Sequence, residues 1–127
     1  MLTLLSAALM LAQDTPKKST AVPPAPSGAP IPMPDTGKAD PDAVCFVAGT
    51  FTSGDKRSAG EDSAAIDMET TYFAGITLGR YDDTTLVRVM YDAKVWVTGK
   101  SLDAAHVACH DRYARDMDRL RVANRKS

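Results

Sequence analysis

Proline is confined to the first third of this chain. All eight prolines lie between Pro16 and Pro41, and the stretch from Asp42 to Ser127 contains none. Because proline breaks helices, its absence over so long a stretch favours a helical domain over residues 42–127. Residues 22–41 have the composition of a disordered, solvated, proline-rich linker. Their loose PxxP spacing also allows a second interpretation, a ligand for an aromatic groove on another protein.

An apolar run stands at the N-terminus, where residues 2–12 read LTLLSAALMLA. The run is shorter than the roughly 20 residues that span a bilayer, but it has the length of a secretory-signal core. We therefore expect residues 1–21 to be a signal peptide, cleaved after Ala12 or Ala21, and a periplasmic or secreted protein with no integral membrane domain after cleavage. No Lys or Arg precedes the run, so an N-terminal helix of the fold and an uncleaved anchor remain as alternatives.

The apolar spacing in residues 42–127 predicts an all-α fold, a small antiparallel bundle of about four helices. The first helix has Asp40 as N-cap and Pro41 at its first position, and a loop follows over residues 53–62. The second runs over about residues 61–78. The third helix is expected to begin at Asp82 or Asp83 and to end at Gly99. The fourth is expected to begin with Ser101 as its N-cap.

Helical periodicity assigns an inward face to each helix. The glycines of a GxxxG spacing, Gly75 and Gly79, are expected to allow close helix packing. Residues 95–98 contain enough β-branched residues to form a strand, but the sequence offers no partner strand, so a helix is preferred. The predicted inward positions are Val44, Cys45, Ala48, Phe51, Ala65, Met68, Tyr72, Phe73, Ile76, Leu86, Val89, Met90, Ala93, Trp96, Val97, Leu102, Ala105, Cys109, Tyr113, Met117 and Leu120.

The two cysteines, Cys45 and Cys109, lie on the apolar faces of the first and last helices. In an oxidising compartment an even cysteine count predicts a disulfide, and a small domain gains most from such a cross-link. A CxxC pair, which redox catalysis would need, is absent from the sequence. Two buried free thiols are the alternative for a chain that is not exported.

His106 and His110 are the only histidines and lie one helical turn apart. Two imidazoles at this spacing suit a metal ion bound from one helix face, with Asp103 or Tyr113 nearby. Val107 stands where the HExxH motif has its glutamate, so zinc-protease chemistry lacks its general base here. Ordinary surface histidines are the alternative, and no cofactor is expected.

Charge excludes two classes of partner. The chain has 15 basic and 16 acidic side chains, which gives neither the basic footprint of a nucleic-acid-binding domain nor a polybasic membrane anchor. Arg and Asp alternate along the last helix, an arrangement typical of a solvated face with ion pairs one turn apart.

Three short features carry a resemblance: an early Cys45, an aromatic-Gly-x-x-x-Gly-Arg helix end (Tyr72 to Arg80) and a late Ala108-Cys109 pair. Over about residues 43–123 the layout resembles a group of small exported bacterial proteins of unknown function, which implies no activity. The layout is also similar to that of the periplasmic acid-stress chaperones, although the cysteine spacing is longer here, and to that of helical periplasmic immunity proteins that neutralise secreted toxins.

The sequence therefore predicts a non-enzymatic protein that works by contact with another protein, as a chaperone, an inhibitor or an accessory subunit. The partner is not identifiable from the sequence. The alternative is a periplasmic protein that binds metal through His106 and His110.

Overall fold

The computed structural model describes residues 27–99 and 102–127. These ranges contain four helices and no strand: α1 (Pro41–Ser58), α2 (Ala64–Arg80), α3 (Asp83–Thr98) and α4 (Asp103–Lys126). The predicted all-α fold is confirmed. In the same ranges no helix combines the length and apolar composition needed to cross a bilayer. The predicted signal peptide and the Ser101 N-cap lie outside the described residues.

Local signals start α1 and α3 where the sequence predicts. The Asp40 carboxylate accepts hydrogen bonds from the backbone N–H groups of Asp42 (2.8 Å) and Ala43 (3.1 Å), and Pro41 occupies the first helical position. Asp82 caps α3 in the same way, accepting from the Thr85 N–H at 2.7 Å. These caps satisfy donors that a helix start leaves free. Residues 95–97 belong to α3, so they form no strand.

The loop predicted over residues 53–62 is wrong in its first half, because α1 continues to Ser58. Ser53 is buried and donates a hydrogen bond to Asp67 of α2, and Arg57 makes two hydrogen bonds of 2.9 Å to the same carboxylate. These contacts hold the last turns of α1 against α2. The connection between the helices is short, and Gly60 turns it at a φ of 72°.

The first helix is the centre of the fold, since α2, α3 and α4 all pack against it. One core cluster joins Val44, Val47 and Ala48 of α1 to Ala93 and Val97 of α3. A second cluster joins α1 to α2 and α4 through Cys45, Phe73, Cys109 and Tyr113.

Close packing of α1 on α2 occurs at Gly49, where an added Cβ would lie 2.2 Å from Thr70 Oγ1. The prediction of close packing at Gly75 and Gly79 is wrong, because a Cβ at either position would have no neighbour within 4 Å. The inward assignment also fails at Phe51, Ala65, Met68 and Leu120, which are exposed.

Residues 27–40, here called the strap, lie on the domain. The Ile31 N–H donates to Asp111 Oδ2 (3.1 Å), Arg115 donates to the Gly28 carbonyl (3.1 Å), and Trp96 Nε1 donates to the Asp35 carbonyl (3.1 Å). Met33 packs against both core clusters. This part of the chain therefore differs from the solvated linker that its proline content predicts.

Candidate functional site

The disulfide between Cys45 and Cys109 is present, as predicted. The Cα atoms are 5.7 Å apart, and both residues are buried beside Phe73 and Tyr113. Because the bond is enclosed by the core, its contribution is to join α4 to α1. It fixes the first half of α4 and does not reach the second.

An ion-pair network around the buried Asp42 carboxylate joins the start of α1 to α2 and α4. The Asp42 side chain is only 3% exposed and pairs with Arg80 (2.9 Å) and with Arg112. Asp40 pairs with Arg80 (3.0 Å) and accepts a hydrogen bond from Tyr81. Burial opposes ionisation of Asp40, but the hydrogen bonds from Tyr81 and two backbone N–H groups, with the charge of Arg80, lower its pKa overall. The sequence gives no signal for this network, since its members are far apart along the chain.

The two histidines lie on α4 at the predicted spacing, and the structure brings one unexpected partner to them. His110 is exposed, and its Nδ1 lies 3.0 Å from Oε2 of Glu69, a buried carboxylate of α2. His106 is half-buried. Within the described residues no group of three or more His, Cys, Asp or Glu side chains is placed to hold a metal ion. Glu69 could have been noticed in the sequence as a carboxylate spaced with the inward residues Ile66 and Phe73.

An open groove lies between α2 and α4. Met68 and Tyr72 of α2 form one wall, and Tyr113, Met117 and Leu120 of α4 form the other. We call this the α2–α4 groove. It consists of two hollows of about 700 and 440 Å³, both bounded by Tyr72.

The groove is accessible, and its apolar side chains lie among charged ones: Asp116, Asp118, Arg119 and Lys126 also line the larger hollow. Met68 is 40% exposed, and Leu120 is 59% exposed although it continues the apolar stripe of α4. Scattered exposed apolar side chains are normal on soluble proteins, but a contiguous apolar patch marks an interaction surface. Met68 lines the smaller hollow and Leu120 the larger one, and Tyr72 lines both.

A polar contact fixes the middle of the groove. The Tyr72 hydroxyl donates a hydrogen bond of 2.5 Å to Asp116 Oδ2, and the Tyr72 ring packs edge-on against Phe73 and Tyr113. Burial and the bond to Asp116 raise the pKa of Tyr72 to about 12. The phenol therefore stays protonated and the ring is held in one orientation, so the wall of the groove is formed before any partner binds.

Comparison of this chain with protein-family models, with curated proteins and with solved structures found no match.

Proposed function

We propose that this chain is an exported protein whose helical domain works by binding another protein and catalyses no reaction. A chaperone, an inhibitor and an accessory subunit are the three forms that such a role takes. The disulfide supports an oxidising location, the periplasm or the exterior, because such bonds persist there and are rare in the cytosol.

The α2–α4 groove carries this proposal. Its walls combine two aromatic rings and two methionines, residue types that are enriched at protein interfaces, with the exposed Leu120 beside them. Tyr72 is already held by Asp116, so a partner that covers it loses little side-chain entropy on binding.

Site-directed photo-crosslinking in the native cells tests the proposal. A photoreactive residue at position 120 should form an adduct with one protein, whereas the same residue at position 87, exposed on α3, should not. The partner identified by mass spectrometry is then purified, and its affinity for the chain is measured. We expect Leu120→Glu to weaken binding at least tenfold, because it replaces an apolar contact with a charge that the partner would have to desolvate, and Val87→Glu to leave it unchanged.

Three results would contradict groove binding. The first is equal adduct formation at positions 120 and 87, and the second is the lack of any adduct at position 120. The third is a purified partner that binds the Leu120→Glu variant as tightly as the wild type. Val87 is a matched control, because it is also an exposed aliphatic residue on a helix but lies outside the groove.

A second candidate function is the binding of a transition-metal ion by His106 and His110. The contact between Glu69 and Nδ1 of His110 favours it, since metal-binding histidines usually donate their other ring N–H to a carboxylate. In that arrangement Nε2 of His110 is the atom left to bind metal, and zinc, copper and nickel are the ions that imidazoles prefer.

Calorimetric titration with Zn²⁺ tests the second candidate. Glu69→Gln, which keeps the shape of the side chain, should weaken binding by about 10-fold, the size of effect seen when a supporting carboxylate is lost. Replacing both histidines by alanine should abolish binding. Zinc affinity that survives the double replacement would exclude this site.

A further inference from the structure

The strap has two parts, which the domain holds differently. Residues 34–40 are anchored in the fold, because Thr36 and Ala39 are buried and Trp96 donates a hydrogen bond to the backbone of this part. Residues 27–33, here called the lid, are exposed except at the last position, which is half-buried. The strap can therefore lift at its lid while its second part stays in place.

Two hydrogen bonds attach the lid to α4 within the described chain. The Ile31 N–H donates to Asp111 Oδ2 (3.1 Å), and Arg115 donates to the Gly28 carbonyl (3.1 Å). Ile31 has a proline on each side, and a proline has no N–H with which to strengthen the attachment. Lifting the lid thus breaks these two bonds and the packing of Met33, and it requires no helix to move.

A cavity of about 290 Å³ lies between the lid and helices α1 and α4. Its lining includes Ile31 and Met33 of the lid and Cys45 of α1, but not Cys109. Cys45 is only 4% exposed while the lid is in place. The cavity therefore connects the lid with one of the two residues of the disulfide and not with the other.

The carboxylate that anchors the lid is incompletely paired. Asp111 is 3% exposed, and its Oδ2 accepts hydrogen bonds from both Ile31 and Arg115. Its Oδ1 is buried and has no hydrogen-bond partner among the described residues. A buried acceptor without a partner costs free energy, which contact with water removes. Because Ile31 lies on this carboxylate, lifting the lid admits water to it, and this offsets part of the loss of the Ile31 hydrogen bond.

We propose that Cys45 is the site at which small thiols attack the disulfide, through the cavity that opens when the lid lifts while the four helices stay folded. The sulfur of the attacking thiolate forms a bond to Cys45 Sγ as the bond between the two Sγ atoms breaks, and the electron pair goes to Cys109 Sγ. Cys45 then carries a mixed disulfide. Cys109 is left as a thiolate, which takes up the proton that the attacking thiol gave to solvent.

A second thiolate completes the reduction. It attacks the sulfur that the first thiol brought, so that the two small thiols leave as one disulfide and Cys45 is released as a thiolate. Two thiol molecules thus supply the two electrons. Since the disulfide joins α4 to α1, the lid determines how long this cross-link lasts in a reducing solution. This role is independent of the α2–α4 groove.

Trapping the mixed disulfide identifies the sulfur that is attacked. The oxidised full chain is treated with glutathione, and early samples are unfolded in excess N-ethylmaleimide, digested and analysed by mass spectrometry. Glutathione on Cys45 with maleimide on Cys109 should exceed the reverse arrangement by about fivefold or more, because attack follows access to the sulfur. Equal amounts, or an excess of glutathione on Cys109, would overturn the proposal.

A matched pair of variants tests the lid as the gate. Ile31→Pro removes the N–H that bonds to Asp111, whereas Ile31→Ala keeps it, and both variants lose the isoleucine side chain. Glutathione should reduce Ile31→Pro about fivefold faster than Ile31→Ala, since one of the two hydrogen bonds of the lid is missing. Equal rates of reduction in the two variants would show that the lid does not control access.

Urea separates opening of the lid from unfolding of the whole domain. Lifting the lid exposes little surface, so the rate of reduction should change little in up to about 1 M urea, whereas a route through global unfolding responds steeply. Circular dichroism gives the urea dependence of global unfolding for the wild type and both variants. Reduction rates that rise with that same dependence would overturn the proposal, even if Ile31→Pro also lowers the stability of the domain.

Discussion

Reduction of the disulfide should bring this domain close to unfolding. The bond joins Cys45 of α1 to Cys109 of α4, 64 positions apart. The other contacts that hold α4 are the packing of its buried face, an ion pair with Asp42, and hydrogen bonds to Glu69, Tyr72 and the strap. Because the bond closes most of the domain into one loop, its removal gives the unfolded chain much more conformational freedom.

The size of the effect follows from the length of that loop. Chain entropy assigns about 4 kcal/mol to a cross-link that closes some 65 residues. The reduced thiols would stay buried beside Phe73 and Tyr113, so little packing is lost in addition. A domain of this size has a free energy of unfolding of about 5–10 kcal/mol. The reduced form would therefore retain only a few kcal/mol.

Urea denaturation followed by circular dichroism, with and without reductant, measures this loss. With an m-value of about 1–2 kcal/mol per molar urea, 4 kcal/mol corresponds to a fall in the midpoint of roughly 2–4 M. A Cys45→Ala/Cys109→Ala variant should unfold near the reduced wild type and should not respond to reductant. A midpoint that moves by less than about 0.5 M, while mass spectrometry shows two free thiols, would refute the loop-entropy argument.

Two further predictions concern packing and pH. Gly49→Ala should lower the free energy of unfolding by about 1–2 kcal/mol, because the new methyl would lie 2.2 Å from Thr70 Oγ1. Gly75→Ala, whose new methyl meets no neighbour, should raise the free energy of unfolding by up to about 1 kcal/mol, because alanine has the higher helix propensity. A Gly49→Ala variant that is more resistant to urea than Gly75→Ala would contradict both expectations. The hydrogen bond from Arg115 lowers the pKa of Asp111 against the effect of burial, with help from a backbone N–H of the strap. A carboxyl group whose pKa is lowered on folding stabilises the fold fully above its unfolded pKa of about 3.9 and loses that effect as the pH falls from there through its folded pKa. Asp111→Asn should therefore lower the urea midpoint more at pH 7 than at pH 3, and an equal loss at both would contradict this assignment.

The parts of the fold that the sequence predicts are those decided within one or two turns. Asp40 and Pro41 specify the start of α1, and Asp82 specifies that of α3, because a cap bonds to N–H groups two or three residues away. The loop after α1 was misplaced since Ser53 and Arg57 find their partner, Asp67, in the next helix. The glycine and the charged residues in that stretch indicate a loop, but the contacts with Asp67 extend the helix to Ser58.

The strap shows the same limit for the linker. Proline content correctly excludes a helix before Pro41, since residues 27–40 form none. It does not predict the hydrogen-bond acceptor of the Ile31 backbone N–H, which is Asp111, 80 positions away. Composition therefore predicts the local conformation of this segment but not its attachment to the domain.

The candidate site was missed for a different reason. Periodicity assigned Met68 and Leu120 to inward faces, and both do continue the apolar stripes of their helices. A stripe specifies direction around a helix axis, however, and not how far along that axis a partner extends. Whether Leu120 is covered depends on where α2 and the core end, and the residues around Leu120 in the sequence do not show this.

The last helix, α4, is longer than the central helix α1. The central helix α1 has 18 residues, or about 27 Å, whereas α4 has 24, or about 36 Å, and its disulfide lies in its second turn. The core does not cover the last turns of α4, where Leu120 and Val122 are exposed and Asp118 pairs with Arg121 within the helix. Both residues border the hollow beside Tyr72, so the excess length of α4 supports the proposed protein-binding role.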